Sequence, residues 1–202
     1  MFPPTQKHGN PMSIPVVLVT GHPATGKTTL ASVLAKALRL PLIAKDAIKE
    51  TLFVALDGSG ALPSNKLAVA TWDLLYQQVE ALVGAGVPLI VEGNFDPRFA
   101  NAQWQKFSRQ FSLRIIQIRC ECEPDVLLAR YRHRIERGVR HPGHVNQSDD
   151  PNFHRLVRSG PLDWVDVPSE RIVVNTTLIK IEDYTQVVAQ VQEIMGGTKP
   201  RL

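Results

Sequence analysis

The sequence predicts an α/β domain built on a five-stranded, mainly parallel sheet flanked by helices. Three observations carry this expectation. Short β-branched apolar runs alternate along the chain with segments whose apolar residues recur at helical spacing. The first run, Ile14–Thr20 (IPVVLVT), is apolar almost throughout, as in a parallel strand buried on both faces. Glycines fall where these segments should end: Gly21, Gly84 with Gly86, Gly138, and Gly196 with Gly197.

The elements follow in order. After the first strand, Lys27–Leu38 carries Leu30, Val33, Leu34, Ala37 and Leu38 on one helical stripe. A second strand is expected over 41–44, and Asp46 opens a helical stretch reaching Phe53. A glycine-containing loop (DGSGALPS) precedes a helix from Ser64 to about Val83, with Leu67, Leu75, Val79 and Leu82 as its buried stripe. Strands over 87–91 and 113–118 bracket a helix that starts at Pro97 and carries Trp104 and Phe107. Glu123-Pro124 opens an arginine-rich helix through Arg137. Residues 140–151 (RHPGHVNQSDDP) lack periodicity and read as a loop. A fifth strand over 172–174 leads to a last helix marked by Tyr184, Val187, Val188, Val191 and Ile194. No internal repeat is present.

At 202 residues, 44% hydrophobic and 21% charged, the chain fits one globular domain rather than a disordered segment. No apolar run is long enough to cross a bilayer. Residues 1–13 read as a disordered leader without the features of a secretory signal, 14–197 as the domain, and 198–202 as a tail; Met12 offers a second start. Cys120 and Cys122 lie too close together to staple distant elements, and a lone C-x-C falls short of a zinc set. That usage fits a reducing cytoplasm. The net charge of +4 is matched by a single segment, where Arg130, Arg132, Arg134, Arg137 and Arg140 face only Glu136. The excess is local, which suits an anion site better than a nucleic-acid-coating surface. A solvated basic face is the plain alternative.

Gly21-His22-Pro23-Ala24-Thr25-Gly26-Lys27-Thr28 matches G-x-x-x-x-G-K-[ST] at every fixed position, between a strand and a helix. The chemistry explains the spacing. Glycines let the backbone curl so that amide N–H groups converge on phosphate oxygens, and the helix dipole adds positive potential. Gly21, His22, Ala24, Thr25, Gly26, Lys27, Thr28 and Thr29 therefore form the expected nucleotide cradle, with Lys27 on the β and γ phosphates and the Thr28 hydroxyl on Mg²⁺. Pro23 has no N–H to contribute. The expected fold is that of the P-loop NTPases. No guanine-reading N-K-x-D follows, which argues against a GTPase, and the third strand ends in Val91-Glu92-Gly93-Asn94 rather than Asp-Glu.

Four features together resemble the P-loop kinase group that includes polynucleotide 5′-hydroxyl kinase, chloramphenicol phosphotransferase and zeta-toxin-like kinases. They are the cradle, Lys45-Asp46-Ala47-Ile48-Lys49 after the second strand, Val91-Glu92-Gly93-Asn94-Phe95-Asp96-Pro97 after the third, and the arginine helix after the fourth. The resemblance spans nearly all of 14–195 and implies an ATP-dependent phosphotransferase, using Mg²⁺, that acts on the hydroxyl of a small molecule. It implies that Asp46 accepts the proton of the acceptor hydroxyl; read by itself, Asp46 is equally a helix N-cap. Glu92 then holds a magnesium-bound water or the acceptor, or simply ends a strand, and Asn94 positions the acceptor or forms a turn. The arginine helix matches the group's lid, about 124–160, with Arg134 and Arg130 on the transferring phosphoryl and Arg137 extending their face. Lys49 stands where the group often has arginine, and loses its bidentate grip. That substitution argues against the polynucleotide kinase reading; a nucleotide-dependent switch is the rival from another class. His141 and His144 lie beside the lid as acceptor contacts or a hinge. Trp72, Tyr76 and Trp104 read as core, Phe153 and Trp164 as cover for the lid or the acceptor pocket, and 175–177 as an approach to the adenine base. The acceptor's identity, ATP versus GTP preference and oligomeric state stay open at this level.

Overall fold

The computed structural model describes residues 13–57, 64–138, 141–144, 150–178 and 183–196. Within them, β1 (Ile14–Thr20), β2 (Leu42–Ala44), β3 (Leu89–Glu92), β4 (Leu113–Glu121) and β5 (Ser169–Asn175) form one sheet in the order β2-β3-β1-β4-β5. Every pairing is parallel. All strands therefore end on the same edge, where ligands of open α/β sheets bind.

β1 sits at the centre and shows why its sequence lacks alternation. Val16 and Leu18 enter one apolar cluster, while Val17 and Val19 enter the other on the opposite face. The first face is covered by α3 (Ser64–Gly84) and α4 (Pro97–Gln110), which supply Leu75, Val79, Trp104 and Phe107. The second is covered by α1 (Lys27–Leu38) and α7 (Tyr184–Ile194), which supply Leu30, Leu34, Val187 and Val191. A third, smaller cluster joins α5 (Pro124–Glu136) and α6 (Pro151–Arg158) through Leu127, Leu128, Tyr131, Phe153 and Val157. Ala24, from the loop after β1, belongs to this third cluster. α2 (Lys45–Asp57) follows β2 without a loop and packs on α3.

Helix starts obey local chemistry. Asp96 caps α4 by accepting from the Arg98 amide at 3.0 Å, with Pro97 in the first turn, where no N–H is needed. Asp150 caps α6 in the same way, accepting from the Asn152 amide at 2.8 Å ahead of Pro151. α6 was not expected from periodicity; Phe153, expected to cover the lid or the acceptor pocket, packs on Tyr131 of the arginine-rich helix α5.

The strands run further than their apolar cores. β4 continues to Glu121 and β5 spans Ser169–Asn175, because the two pair from Ile115–Ser169 to Glu121–Asn175 and buried Gln117 fastens the start of β5. Its amide donates to Val165 O at 2.9 Å and Ser169 Oγ at 2.8 Å, and accepts from the Val165 amide at 3.0 Å. Trp164, expected near the acceptor, lies instead on the β4–β5 side, between the guanidinium groups of Arg119 and Arg171. Cation–π attraction accounts for that position. Trp104 is core as expected, whereas Trp72 and Tyr76 are only half-buried. Among the described residues no helix is long and apolar enough to cross a membrane. The leader (apart from Ser13), the tail, Arg140 and the glycine-containing loop 58–63 lie outside the described residues.

Trp104 is fully buried and touches the rings of Tyr76, Phe95 and Phe107, yet among the described residues its indole N–H has no partner. Trp104→Ala should destabilise the fold by about 3–5 kcal/mol, read by urea unfolding. Trp104→Phe should lose much less, since it also removes a buried unpaired donor. Equal losses from the two variants would contradict this account of the core.

Candidate active site

The carboxyl ends of β1, β2 and β3 bring the expected residues together. Across the sheet, Val19 pairs with Glu92 and Glu92 with Ala44, so the loop after β1, the end of β3 and the start of α2 adjoin. Two further bonds hold β3 to β1 there: the Gly93 amide donates to Val19 O at 3.1 Å and the Phe95 amide to Thr20 Oγ1 at 3.2 Å.

The loop from Gly21 to Thr28 is shaped by backbone constraints. Gly21 adopts φ +147°, and a Cβ there would stand 2.6 Å from Cys120 O and 2.7 Å from Thr25 Oγ1. Gly26 adopts φ +81° and begins α1 with no side-chain cap. The first amides of α1 are therefore left for a ligand, at the positive end of the helix dipole. Thr25 closes the loop, its hydroxyl donating to His22 O at 2.8 Å. Thr28 and Thr29 are exposed at the helix start.

The His22 imidazole does not face the cradle. It is buried and its Nε2 lies 2.9 Å from Gly160 O, so the neutral ring donates to that carbonyl. Burial pushes its pKa below the ordinary value; the Gly160 bond opposes this and Lys27 reinforces it. Thr176, expected with 175–177 as an approach to the adenine base, supplies another tie, one not visible in the sequence. Its hydroxyl lies 2.7 Å from Thr25 O and its amide donates to Glu121 O at 2.7 Å, fastening the loop after β5 under the cradle. Cys120, beneath Gly21, is a free thiol whose pKa burial pushes up to about 12.

Lys27 and Glu92 form the centre of the site. Lys27 Nζ lies 3.6 Å from Glu92 Oε1, and the two residues are 7% and 1% exposed. Among the described residues neither carboxylate oxygen of Glu92 has a hydrogen-bond partner. Burial raises the Glu92 pKa, Lys27 lowers it, and Asp46 raises it further. Asp46 lies in the first turn of α2, half exposed, with Lys45 Nζ 3.4 Å from its Oδ1. Burial alone would raise its pKa, but Lys45, Lys27 and His144 together hold it below the usual carboxylate value. The site thus offers one ionised, partly accessible carboxylate and one buried carboxylate with unfilled acceptor capacity.

Buried acceptors without donors fit a magnesium-bound water, and the exposed Thr28 hydroxyl fits a direct Mg²⁺ contact. Among the described residues no group of three or more His, Cys, Asp or Glu side chains could hold a metal by itself. That agrees with the habit of Mg²⁺, which is held largely by water and substrate phosphates.

The remaining expected residues are spread around this centre. Asn94 is exposed beside it, while Lys49 is buried on α2. Arg130 and Arg134 do not share an environment. Arg130 is half-buried, donating to Thr176 O and Thr177 O at 2.9 Å each and approaching Cys122 Sγ at 3.5 Å. Arg134 and Arg137 are exposed at the far end of α5, and among the described residues neither has a carboxylate partner. His144 Nε2 meets Glu50 Oε1 at 2.9 Å and the His141 ring sits edge-on to Phe53, so this pair of histidines docks the segment after α5 onto α2.

Two measurements probe this geometry. Gly21→Ala should lose at least about ten-fold in Mg·ATP affinity by calorimetry, because its Cβ would displace a carbonyl of β4 from a backbone only glycine adopts readily. Unchanged affinity would show that the cradle tolerates the side chain. For His22, the folded pKa lies below the unfolded one, so the unfolded chain binds the extra proton. Its stabilising contribution is present above the unfolded value and is lost as pH falls. Between about pH 7.5 and about pH 5.5 the melting temperature should drop more for the natural chain than for His22→Gln. Parallel pH profiles would contradict a buried neutral imidazole.

Comparison with known proteins supports the same fold. The family model described as the AAA domain (AAA_33) matches residues 16–150, two-thirds of the chain. A candidate kinase from Chloroflexus aurantiacus is 36% identical, with a TM-score of 0.77, covering 89% of this chain and 98% of its own. A gluconokinase from Sinorhizobium meliloti is 15% identical with a TM-score of 0.55, covering 93% and 95%. The APS kinase of Mycobacterium tuberculosis, solved with AMPPNP and APS, is 16% identical with a TM-score of 0.56, covering 91% and 99%. The last two show a shared fold alone. No curated protein is similar enough to count as a match. With the domain match and the 36% identical relative extending over the sheet and the cradle, the chain belongs to this AAA-domain family of kinase-like P-loop proteins.

Proposed function

We propose that the protein is an ATP-dependent phosphotransferase that moves the γ-phosphoryl group to a hydroxyl of a small molecule. The observation that carries this reading is the assembly of Lys27, Glu92 and Asp46 on one sheet edge, with Asp46 charged and accessible beside the cradle. A switch or simple ATPase has no need of a second carboxylate poised for an alcohol.

Asp46 accepts the hydrogen bond of the incoming alcohol and orients its oxygen. A carboxylate held below its usual pKa is a weak base, so its main contribution is alignment, with the proton leaving late, as a loose phosphoryl-transfer transition state permits. The alcohol oxygen bonds to the γ phosphorus as the bond from phosphorus to the β–γ bridging oxygen breaks. The electron pair leaves with ADP, and the proton passes through Asp46 to solvent. Lys27 and the first amides of α1 balance charge on the phosphate oxygens. Mg²⁺, held by Thr28 and, through water, by Glu92, supplies further charge neutralisation when bound.

Arg134 and Arg137, exposed and without carboxylate partners among the described residues, suit a lid that covers the transferring group. Arg130, occupied by the carbonyls of Thr176 and Thr177, suits an anchor for that lid, and reaches phosphate only if those bonds are exchanged. Lys49 and Asn94 are assigned to the acceptor side, and the resemblance to small-acceptor P-loop kinases supports the whole arrangement.

The test is a screen of alcohols with γ-labelled ATP, followed by the Asp46→Asn variant on the acceptor that turns over fastest. Asp46→Asn should lower kcat by about 10²–10⁴-fold while leaving Mg·ATP binding nearly intact. A variant that transfers phosphate at the natural rate would remove Asp46 from the mechanism.

A further inference from the structure

A groove between α3 and α4 opens beside the proposed reaction centre. It encloses about 470 Å³, within the range of roughly 300–1,000 Å³ typical of small-molecule pockets. Its walls are Ala68, Val69, Trp72, Tyr76, Phe99 and Ala100. Trp72 and Tyr76 stack at 5.7 Å between centroids and 23° between planes, and form its aromatic floor.

The inner end of the groove is tied to the chemistry. Lys45 lines it, with Nζ 5.6 Å from the centroid of the Trp72 ring and 3.4 Å from Asp46 Oδ1. Trp72 also closes on Gly93, where a Cβ would meet its ring at 3.2 Å, so the floor reaches the Glu92-Gly93-Asn94 turn. Asn94 is exposed on the same wall.

The outer end carries large apolar side chains in water: Phe99 is 78% exposed and Val69 61%. The polar inventory is short. Asp96 is held by Arg98, and Lys45 by Asp46. Asn94, Asp73, the Tyr76 hydroxyl and the Trp72 indole N–H remain, and the last two are the polar edges of otherwise apolar rings. An acceptor bearing many hydroxyls would turn some of them onto the Ala68, Val69, Phe99 and Ala100 side chains, where they find no partner. A flat apolar body would gain the Trp72–Tyr76 surface and cover Val69 and Phe99.

We propose that this groove binds the acceptor, and that the acceptor is an alcohol on an aromatic or similarly flat apolar scaffold. This rests on the phosphotransferase reading: the apolar body lies along α3 and α4, and its hydroxyl passes Lys45 and Asn94 to reach Asp46. Phosphate then moves to that oxygen with loss of ADP, and the hydroxyl proton goes through Asp46 to water.

The experiment uses the full chain with Mg·ATP and naphthylethanol as probe, its binding followed by the probe's own fluorescence and its phosphorylation by labelled ATP; glycerol is the polyol control. Saturable binding of naphthylethanol is expected, with phosphorylated product and a kcat/KM at least about ten-fold above that for glycerol. Ala68→Phe, which fills the groove, should weaken probe binding by at least about ten-fold, and Phe99→Ser, at an exposed position that does not threaten folding, by about three-fold. Absence of saturable probe binding, or binding indifferent to both substitutions, overturns the groove. Phosphorylation of glycerol in preference to the probe overturns the acceptor class while sustaining the phosphotransferase. Probe binding lost on Ala68→Phe, with ATP bound but no alcohol phosphorylated, sustains the groove and overturns the phosphotransferase.

Discussion

The Lys27–Glu92 contact governs the site. Two charged groups stand 3.6 Å apart where water scarcely reaches, and among the described residues the carboxylate has no hydrogen bond to either oxygen. Removing both ions from water is expensive, and their mutual attraction repays it only with good geometry and further hydrogen bonds. Here those further bonds are missing. Such an arrangement contributes little to stability, and in the proposed function the remaining acceptor capacity of Glu92 serves a magnesium-bound water. The rest of the structure serves to hold this unfavourable pair in place: β1 and β3 are locked in register, and the Gly93 and Phe95 amides are pinned to the end of β1.

Rigidity on that edge comes from the sheet itself. β1 is buried on both faces by separate apolar clusters, so a one-residue slip would move each valine into the wrong layer without exposing any of them. Register is fixed instead by the flanking pairs and by the glycine turn, whose Gly21 tolerates no Cβ against Cys120. The reaction centre is therefore placed by main chain, and side-chain freedom is left to Asp46 and the exposed arginines.

Much of this was readable from sequence, and the limits have physical causes. Central strands announce themselves because burial on both faces demands continuous apolar runs; β5, on the edge, alternates buried and exposed residues and showed only its middle. α6 is a single short amphipathic segment, too brief for periodicity, although Asp150 before Pro151 is a cap signal that could have revealed it. The cradle, Asp46 and Glu92 were legible because their positions follow from strand ends. The His22–Gly160 and Thr176–Thr25 bonds were not, since they join residues 138 and 151 positions apart. Nor was the groove, because Trp72 and Tyr76 sit at the same spacing whether a helix face is covered by protein or waits for a ligand.

One feature of α5 limits how it can travel. Its root shares an apolar cluster with Ala24 of the cradle, and Arg130, midway along, grips two carbonyls of the turn after β5. Beyond Arg130 the helix carries Arg134 and Arg137 outward. Tyr131 and Ile135, beyond Arg130, still pack against α6, so the two helices are bound to each other along most of the length of α5. The proposed lid would therefore have to move α5 and α6 as one body, and the His141–His144 segment on α2 would feel that movement through Glu50 and Phe53.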